Sequence, residues 1–225
     1  MNRVIAIDGP SGAGKSTIAK LLARELGFEY LDTGALYRAV ALSLLQRGLN
    51  EESRDHDIVT ALEKTKVAFR HGKVFLNHKD VSQEIRSPQA SHFASVFSAR
   101  RVVREFLLDI QREALHHEDL VAEGRDMTTV VFPYAYKKFY LDASAEERAR
   151  RRTLELIAKG YEADEERIRL DIIERDARDS GRDLAPLKKA EDAVRIDSTG
   201  LSVDDVFRTI LAVIRQDIPG NEKKR

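Results

Sequence analysis

One segment near the start of the chain has the residue types and spacing of a phosphate-binding loop. Residues 9–16 read Gly-Pro-Ser-Gly-Ala-Gly-Lys-Ser and match the pattern of a glycine, four residues, and then Gly-Lys followed by Ser or Thr. A short apolar run precedes the segment, and a helical spacing of apolar residues follows it. The pattern indicates a site for a nucleoside triphosphate. The residues expected to contact it are Gly9, Pro10, Ser11, Gly12, Ala13, Gly14, Lys15, Ser16 and Thr17.

Each residue type in this loop has a physical reason. The three glycines allow backbone angles that other residues avoid, so that successive N–H groups can point at phosphate oxygens. The amino end of the following helix adds partial positive charge. We expect Lys15 to reach the β- and γ-phosphates, the Ser16 hydroxyl to bind Mg²⁺, and Thr17 to lie near the α-phosphate.

Arginines recur at the ends of predicted strands and along two later helices. Arg38 follows the second predicted strand, Arg125 follows a central one, and two further groups lie within residues 148–152 and 175–182. An enzyme that transfers a phosphoryl group must hold a second, anionic substrate and shield the reaction from water. Arginine suits this task because it binds phosphate bidentately and stays charged when desolvated.

Three classes of protein use such a phosphate loop: GTPase switches, ATPase motors or regulators, and small-molecule kinases. The guanine-reading sequence Asn-Lys-x-Asp of a GTPase is matched only loosely by residues 77–80, where the lysine comes one place late. A motor is expected to have a longer hydrophobic strand than residues 120–123, although Glu123 could organise Mg²⁺ or its waters. The separated arginines favour a kinase.

Strand and helix patterns alternate along the chain. Short apolar runs predict strands, and the longer stretches between them have helical spacing of apolar residues. The predicted strands are Val4–Ile7, Phe28–Leu31, Leu120–Ala122, Lys138–Leu141 and Val194–Ile196. The predicted helices are Lys15–Leu26, Ala35–Leu45, Glu146–Ala158, Glu165–Arg178 and Val203–Ile214. Strands separated by helices predict an α/β fold with a parallel sheet covered on both faces.

One segment breaks this alternation. Residues 67–69 and 74–76 are apolar runs on either side of His71-Gly72-Lys73, which predicts a β-hairpin. Residues 77–80 look like a second turn, with Val81 beginning a third short strand. We therefore expect a core made of residues 1–59 and 96–225 and a small β-containing lobe inserted at residues 60–95.

The composition limits the classes of partner. Lys and Arg number 38, and so do Asp and Glu, which gives a formal net charge of zero. Proteins that bind nucleic acids or membrane surfaces usually carry a basic excess, so we expect neither as a partner. The chain has no cysteine, which excludes disulfides, zinc–thiolate sites and thiol catalysis. The four apolar residues at 4–7 are too few for a signal peptide or a membrane span, and we expect a cytoplasmic monomer.

Taken together, the phosphate loop, the arginines and the hairpin lie in a sequence that resembles the bacterial cytidylate kinases, the (d)CMP kinases of the nucleoside monophosphate kinase group. The resemblance extends from Ile5 to about Val206 and is much more specific than the phosphate loop alone. The motifs that carry it are Ile7–Thr17, Leu31–Arg38, Val81–Arg86, Glu123–Pro133, Leu141–Ser144 and Glu174–Asp179.

The resemblance implies a P-loop three-layer α/β fold with a parallel central sheet, a small β-containing insert and a helical lid at about residues 150–165. It implies transfer of the γ-phosphoryl group of ATP to CMP or dCMP, giving ADP and CDP or dCDP, with Mg²⁺ as the cofactor. Another P-loop kinase, for UMP or a different small molecule, and a non-catalytic nucleotide-binding regulator remain alternatives.

The resemblance also implies roles for individual residues. The set that reads cytosine looks like Ser95, Arg104 and Asp126. The clamps on the CMP phosphate look like Arg38, Arg125 and Arg182, with Thr33 near the monophosphate and with Arg175 and Asp179 at the sugar. The residues that stabilise the transition state look like Lys15, Arg148, Arg152 and Arg182.

The sequence departs from its relatives at four places, and none is in the cytosine-reading set. Ser16 stands where many relatives have glycine, which supplies the usual Mg²⁺-binding hydroxyl. Glu123 stands where aspartate is frequent, and Thr128 where glycine is frequent. Val102 replaces an arginine of some relatives, so no ligand contact is expected there.

Overall fold

The computed structural model describes residues 2–70, 72–116 and 118–216. The strands, in chain order, are β1 (Val4–Asp8), β2 (Glu29–Asp32), β3 (Val67–Arg70), β4 (Lys73–Leu76), β5 (Lys79–Asp80), β6 (Leu120–Gly124), β7 (Lys137–Asp142) and β8 (Val194–Asp197). The α-helices are α1 (Lys15–Leu26), α2 (Thr33–Gln46), α3 (Asp55–Glu63), α4 (Pro88–Phe97), α5 (Arg101–Glu113), α6 (Ala145–Ala158), α7 (Glu165–Ser180) and α8 (Val203–Gln216).

Five strands form a parallel sheet in the order β2-β6-β1-β7-β8. The central strand β1 is buried along its whole length, which explains its unbroken apolar run. Val4 and Ala6 belong to one hydrophobic cluster, whereas Ile5 and Ile7 belong to another. Because alternate side chains of a strand point to opposite faces, the sheet is packed on both sides by helices. The predicted α/β class with its parallel central sheet is confirmed.

The parallel arrangement brings several loops to one edge of the sheet. Asp8, at the end of β1, pairs with Gly124 at the end of β6, and Asp32 at the end of β2 pairs with Glu123. The segments that follow these three strands therefore leave the sheet side by side. Open α/β sheets bind ligands at this edge because the loops diverge there.

The hairpin predicted at residues 67–76 is present and extends to a three-stranded antiparallel sheet, β3-β4-β5. The third strand was predicted to begin at Val81, but it consists of Lys79–Asp80 and precedes that residue. Asn77 and His78, both with positive φ, make the turn before it and so leave room for β5.

The apolar side of this small sheet packs against α2. Val67, Val74 and Leu76 of the sheet share one hydrophobic cluster with Val40 and Leu44 of the helix. The expected lobe boundaries near residues 60 and 95 fall within α3 and α4. The division of the chain into a core and an inserted lobe stays a prediction.

Two helices, α6 and α7, follow β7. Ser144 caps the start of α6 by accepting a hydrogen bond from the Glu147 N–H, and Asp164 caps α7 in the same way. The segment at residues 150–165, predicted to be a lid, comprises the end of α6, the connecting turn and the first residue of α7. In the described part of the chain, no helix is long and apolar enough to cross a membrane.

Candidate active site

The loop between β1 and α1 has the backbone geometry of a phosphate cradle. Gly9, Gly12 and Gly14 all have positive φ, at 148°, 80° and 92°. A Cβ atom on Gly9 would lie 1.9 Å from the backbone oxygen of Leu141 on the neighbouring strand, so only glycine fits there. The first N–H groups of α1, which begins at Lys15, have no carbonyl partner within the helix and can bind an anion.

Lys15 lies buried across this loop. Its Nζ atom donates a hydrogen bond to the carbonyl oxygen of Pro10 at 2.7 Å. Burial and then the positive charge of Arg125 lower the pKa of Lys15 to about 7. An ammonium group that a carbonyl only partly satisfies is suited to a phosphate oxygen.

The Ser16 hydroxyl and the Glu123 carboxylate lie together beside the loop. Glu123, buried at the end of β6, accepts a hydrogen bond from the Tyr30 hydroxyl at 2.6 Å. Burial and the charge of Asp32 raise the pKa of Glu123, and a hydrogen bond with Ser16 opposes that rise.

These groups fit a magnesium ion because Mg²⁺ takes oxygen ligands and few of them from protein. The residues that the structure describes contain no group of three or more His, Cys, Asp or Glu side chains that could hold a metal by themselves. A single carboxylate with one hydroxyl matches an ion held mainly by substrate phosphates and water.

The loop after β6 and the end of α7 bring three guanidinium groups to one carboxylate. Arg125 donates through Nε to Oδ2 of Asp179 at 3.0 Å, and Arg182 pairs with the same carboxylate. The Arg175 Nε is 3.9 Å from Asp179 Oδ2 and has no hydrogen-bond partner among the described residues.

The charge of this arginine cluster is not balanced by its shared carboxylate. Burial and the nearby Arg125 are the largest causes that lower the pKa of Arg175 to about 10, and Arg38 adds to them. Burial is likewise the main cause that lowers the pKa of Arg182. Three guanidinium groups share the single Asp179 carboxylate, so the cluster carries excess positive charge that a phosphate could balance.

The start of α2 contributes two more of the predicted residues. Arg38 pairs with Asp32 at 3.1 Å, and Asp32 also caps the helix by accepting from the Ala35 N–H. Thr33 donates its hydroxyl to the carbonyl oxygen of Glu123 at 2.7 Å. The helix begins at Thr33 rather than at the predicted Ala35 because Asp32 caps it two residues earlier.

Arg104 and Asp126 form a buried ion pair near these arginines. Arg104 also donates to the carbonyl oxygen of Ser98 at 3.1 Å and lies over the Tyr37 ring, with 5.6 Å from its guanidinium carbon to the ring centroid. The hydroxyl of Ser95 is buried and has no partner among the described residues. Ser95 and Arg182 both line a cleft of about 810 Å³.

The two arginines predicted on α6 differ in placement. Arg148 is buried and donates to the carbonyl oxygens of Ala143 at 2.9 Å and Ser11 at 3.0 Å, while its Nη1 lies 2.7 Å from Asp176 Oδ2. It therefore joins the phosphate loop to α7. Arg152 pairs with Glu155 on its own helix, and its described contacts do not connect it to the loop or to the arginine cluster.

The motifs assign no role to two residues at the site, although one of them, Asp8, lies within the motif Ile7–Thr17. Asp8 is completely buried at the end of β1 and accepts three hydrogen bonds from Met127 and Thr128. An acid that closes an apolar strand just before a phosphate loop is a signal that could have marked it. Tyr30, the partner of Glu123, lies in a short strand with no pattern that distinguishes it.

The chain matches the family model described as cytidylate kinase over residues 5–216. The chain belongs to the cytidylate kinase family. Cytidylate kinases from Thermotoga neapolitana and Thermodesulfovibrio yellowstonii are 49% and 48% identical to it. The alignments cover 94% of this chain and 96% of the first relative, and 96% of this chain and 100% of the second.

Membership of this cytidylate kinase family confirms the predicted resemblance and the prediction of a nucleoside monophosphate kinase enzyme. A third cytidylate kinase, from Carboxydothermus hydrogenoformans, is 47% identical over 93% of this chain and 96% of its own length. The crystal structure of an uncharacterized protein from Eubacterium ventriosum has a TM-score of 0.51 at 15% identity, covering 95% of this chain and 99% of that one. That likeness concerns the fold alone.

Proposed function

We propose that the chain transfers the γ-phosphoryl group of ATP to CMP or dCMP, with ATP on the phosphate loop and the acceptor between α2, α4 and α7. The reaction of ATP with CMP is the one that the family carries out. The observation that supports the assignment of residues is the arginine cluster around Asp179. It lies at the same edge of the sheet as the loop and holds more positive charge than its carboxylate balances.

ATP binds through the backbone of the phosphate loop and through Lys15. The Lys15 ammonium group is bonded to the Pro10 carbonyl, and a β- or γ-phosphate oxygen is a stronger acceptor for it. Ser16 and Glu123 are the residues that would hold Mg²⁺. The ion supplies neutralisation of charge on the phosphate oxygens.

The CMP phosphate binds among Arg38, Arg125 and Arg182. Each of these side chains already contacts a carboxylate, either Asp32 or Asp179, which holds the guanidinium in place before substrate arrives. Such preorganisation reduces the entropy lost on binding. We assign Arg175 and Asp179 to the sugar that follows this phosphate.

The base is read by Ser95, Arg104 and Asp126. The cytosine amino group can donate to the Asp126 carboxylate, and the N3 and O2 acceptors can take hydrogen bonds from Arg104 and Ser95. The unpartnered Ser95 hydroxyl supports this assignment because a buried hydroxyl without a partner is costly. Uracil puts a carbonyl where cytosine has the amine, which sets oxygen against carboxylate and costs ~1–3 kcal/mol.

Catalysis then rests on positioning and charge. The attacking phosphate oxygen of CMP is already anionic, so the site needs no strong general base. Lys15 and the arginines neutralise the charge that spreads over the transferring group, and in-line alignment supplies much of the rate. Closure of the α6–α7 pair excludes water, which would otherwise hydrolyse ATP. Arg148 links that pair to the phosphate loop through Ser11 and Asp176.

A coupled assay of ADP release with CMP, dCMP, UMP and AMP tests this function. We expect rapid turnover with CMP and dCMP and at least about fivefold lower kcat/KM with UMP, in line with the cost of the misplaced carbonyl. Equal use of UMP would contradict the base assignment. Binding of ATP and CMP without ADP release would support the alternative of a non-catalytic regulator. We also propose that the protein is a cytoplasmic monomer, and this part of the proposal rests on the sequence.

A further inference from the structure

Asp8 is a buried carboxylate with three hydrogen-bond donors around it, and none of the three is a cation. It is fully shielded from solvent at the end of β1. Its Oδ1 accepts from the Met127 N–H at 2.8 Å, and its Oδ2 accepts from the Thr128 N–H at 2.8 Å and from the Thr128 hydroxyl at 2.6 Å. Buried carboxylates need such satisfaction because an unpaired one is very costly. The segment that supplies all three donors is thereby fixed to the central strand.

That segment begins one residue after Asp126. Residues 127–131 form one wide helical turn, and the Asp126 carbonyl oxygen accepts from the N–H groups of Val130 and Val131 at 2.9 and 3.1 Å. Asp126 itself has irregular backbone angles, φ −143° and ψ 21°. Asp126 lies two residues beyond the end of β6, and its carboxylate pairs with Arg104. The turn that follows is its other neighbour along the chain, so the placement of that turn also bears on where the Asp126 carboxylate lies.

Thr128 makes this anchor different from that of a glycine at the same position. A glycine would offer Asp8 the backbone N–H alone, whereas Thr128 adds its hydroxyl and so a third hydrogen bond. The neighbouring Thr129 has a buried hydroxyl without a partner among the described residues, so the turn contains a bonded and an unbonded threonine side by side.

We propose that Asp8 is a positioning residue which, through the backbone and hydroxyl of Thr128, holds Asp126 in place to discriminate cytosine from uracil. The inference rests on the proposed function, because it takes Asp126 as the acceptor of the cytosine amine. It gives β1 two tasks, since the same strand end leads into the phosphate loop at Gly9 and anchors the base-reading segment.

The ionisation state of Asp8 agrees with this role. Burial is the largest cause that raises its pKa to about 6, and the hydrogen bonds from Thr128 and Met127 oppose that rise. All three hydrogen bonds to its oxygens come from donors, which is the arrangement that an ionised carboxylate accepts. An asparagine in its place would turn an NH₂ group toward at least one of these donors and so break the anchor.

The test compares kcat/KM for CMP with kcat/KM for UMP in the full-length enzyme. Thr128→Val removes the hydroxyl and keeps the shape of the side chain, and we expect it to lower the CMP-to-UMP ratio by about fivefold while the KM for ATP stays within about twofold. Asp8→Asn is expected to lower the ratio further. Thr128→Ser keeps the hydroxyl and should restore the ratio. Thr129→Val is the matched control and should leave the ratio at its wild-type value.

Asp126→Asn separates failure of this inference from failure of the proposed function. If Asp126→Asn leaves the CMP-to-UMP ratio unchanged, Asp126 does not read the base, and both the assignment and the inference are overturned. If Asp126→Asn removes the preference while Thr128→Val keeps it, only the positioning role is overturned. A Thr128→Val enzyme that has a lower melting temperature and an unchanged ratio would likewise show a purely structural role.

Discussion

Arg125 Nε donates a hydrogen bond to Asp179 Oδ2 at 3.0 Å, across 54 residues of sequence. The bond joins the loop after β6 to the last turn of α7. Asp179 also pairs with Arg182, which lies beyond the end of that helix, and faces Arg175. One buried carboxylate therefore lies beside three cations, and their excess positive charge is what we propose binds the CMP phosphate.

Arg182→Ala is expected to lower kcat or CMP affinity at least about tenfold, because a guanidinium that contacts phosphate contributes more than ~1.4 kcal/mol. ATP binding should persist because the phosphate loop is untouched. Steady-state kinetics with CMP, together with an ATP titration, measure both. Arg169→Ala is a matched control, since that arginine lies on α7 and its described ion pairs are with Glu166 and Glu146. Unchanged CMP kinetics in Arg182→Ala would remove this residue from the site.

Lys15 should take up a proton when ATP binds. Its pKa in the protein alone is lowered to about 7, chiefly by burial, so the neutral amine gains population as the pH rises to 8. A bound triphosphate favours the ammonium form and raises this pKa, so ATP binding at pH 8 is expected to be accompanied by net proton uptake, and the uptake should be smaller at pH 6. Calorimetry in buffers with different heats of ionisation measures the number of protons taken up per ATP bound. Lys15→Arg stays charged and should take up none at this group; equal uptake in both proteins would contradict the prediction.

Gly9→Ala should destabilise the protein far more than another glycine substitution at positive φ. The added Cβ would meet the Leu141 carbonyl at 1.9 Å and push β1 from β7, which we expect to cost about 3 kcal/mol or more in free energy of unfolding. Gly48→Ala is the control, because Gly48 has φ 76° but no atom lies within 4 Å of the position that its Cβ would take, and it should cost only about 1–2 kcal/mol. Urea unfolding measures the loss of stability in the two variants. Similar losses would show that the backbone shifts enough to remove the clash between the added Cβ and the Leu141 carbonyl, and would contradict the prediction.

Arg148→Ala and Arg152→Ala should separate structural from catalytic roles on α6. Arg148→Ala leaves the carbonyl of Ser11 and the carboxylate of Asp176 without their partner, so we expect a loss of about 3 kcal/mol in stability along with lower activity. Arg152 pairs with Glu155 near the surface, where such pairs contribute about 0–1 kcal/mol. Arg152→Ala should therefore unfold like the wild type and lower only kcat. If its kcat is also unchanged, Arg152 has no part in the transition state.

The sequence by itself determined the sheet, the phosphate loop and the family. Short continuous apolar runs and helices at period 3.6 are local patterns, and they were enough to predict the parallel sheet and the hairpin at residues 67–76. The loop motif is equally local, since its glycines are dictated by backbone angles that only glycine adopts easily.

Only the tertiary structure decided which distant groups share a charge or a hydrogen bond. Asp8 meets Thr128 across 120 residues, and no spacing rule connects positions so far apart. In the same way, Arg148 lies against the phosphate loop while Arg152, one turn later, pairs within its helix. Burial and mutual distance set the strength of these electrostatic interactions, and both are properties of the folded chain rather than of the order of its residues.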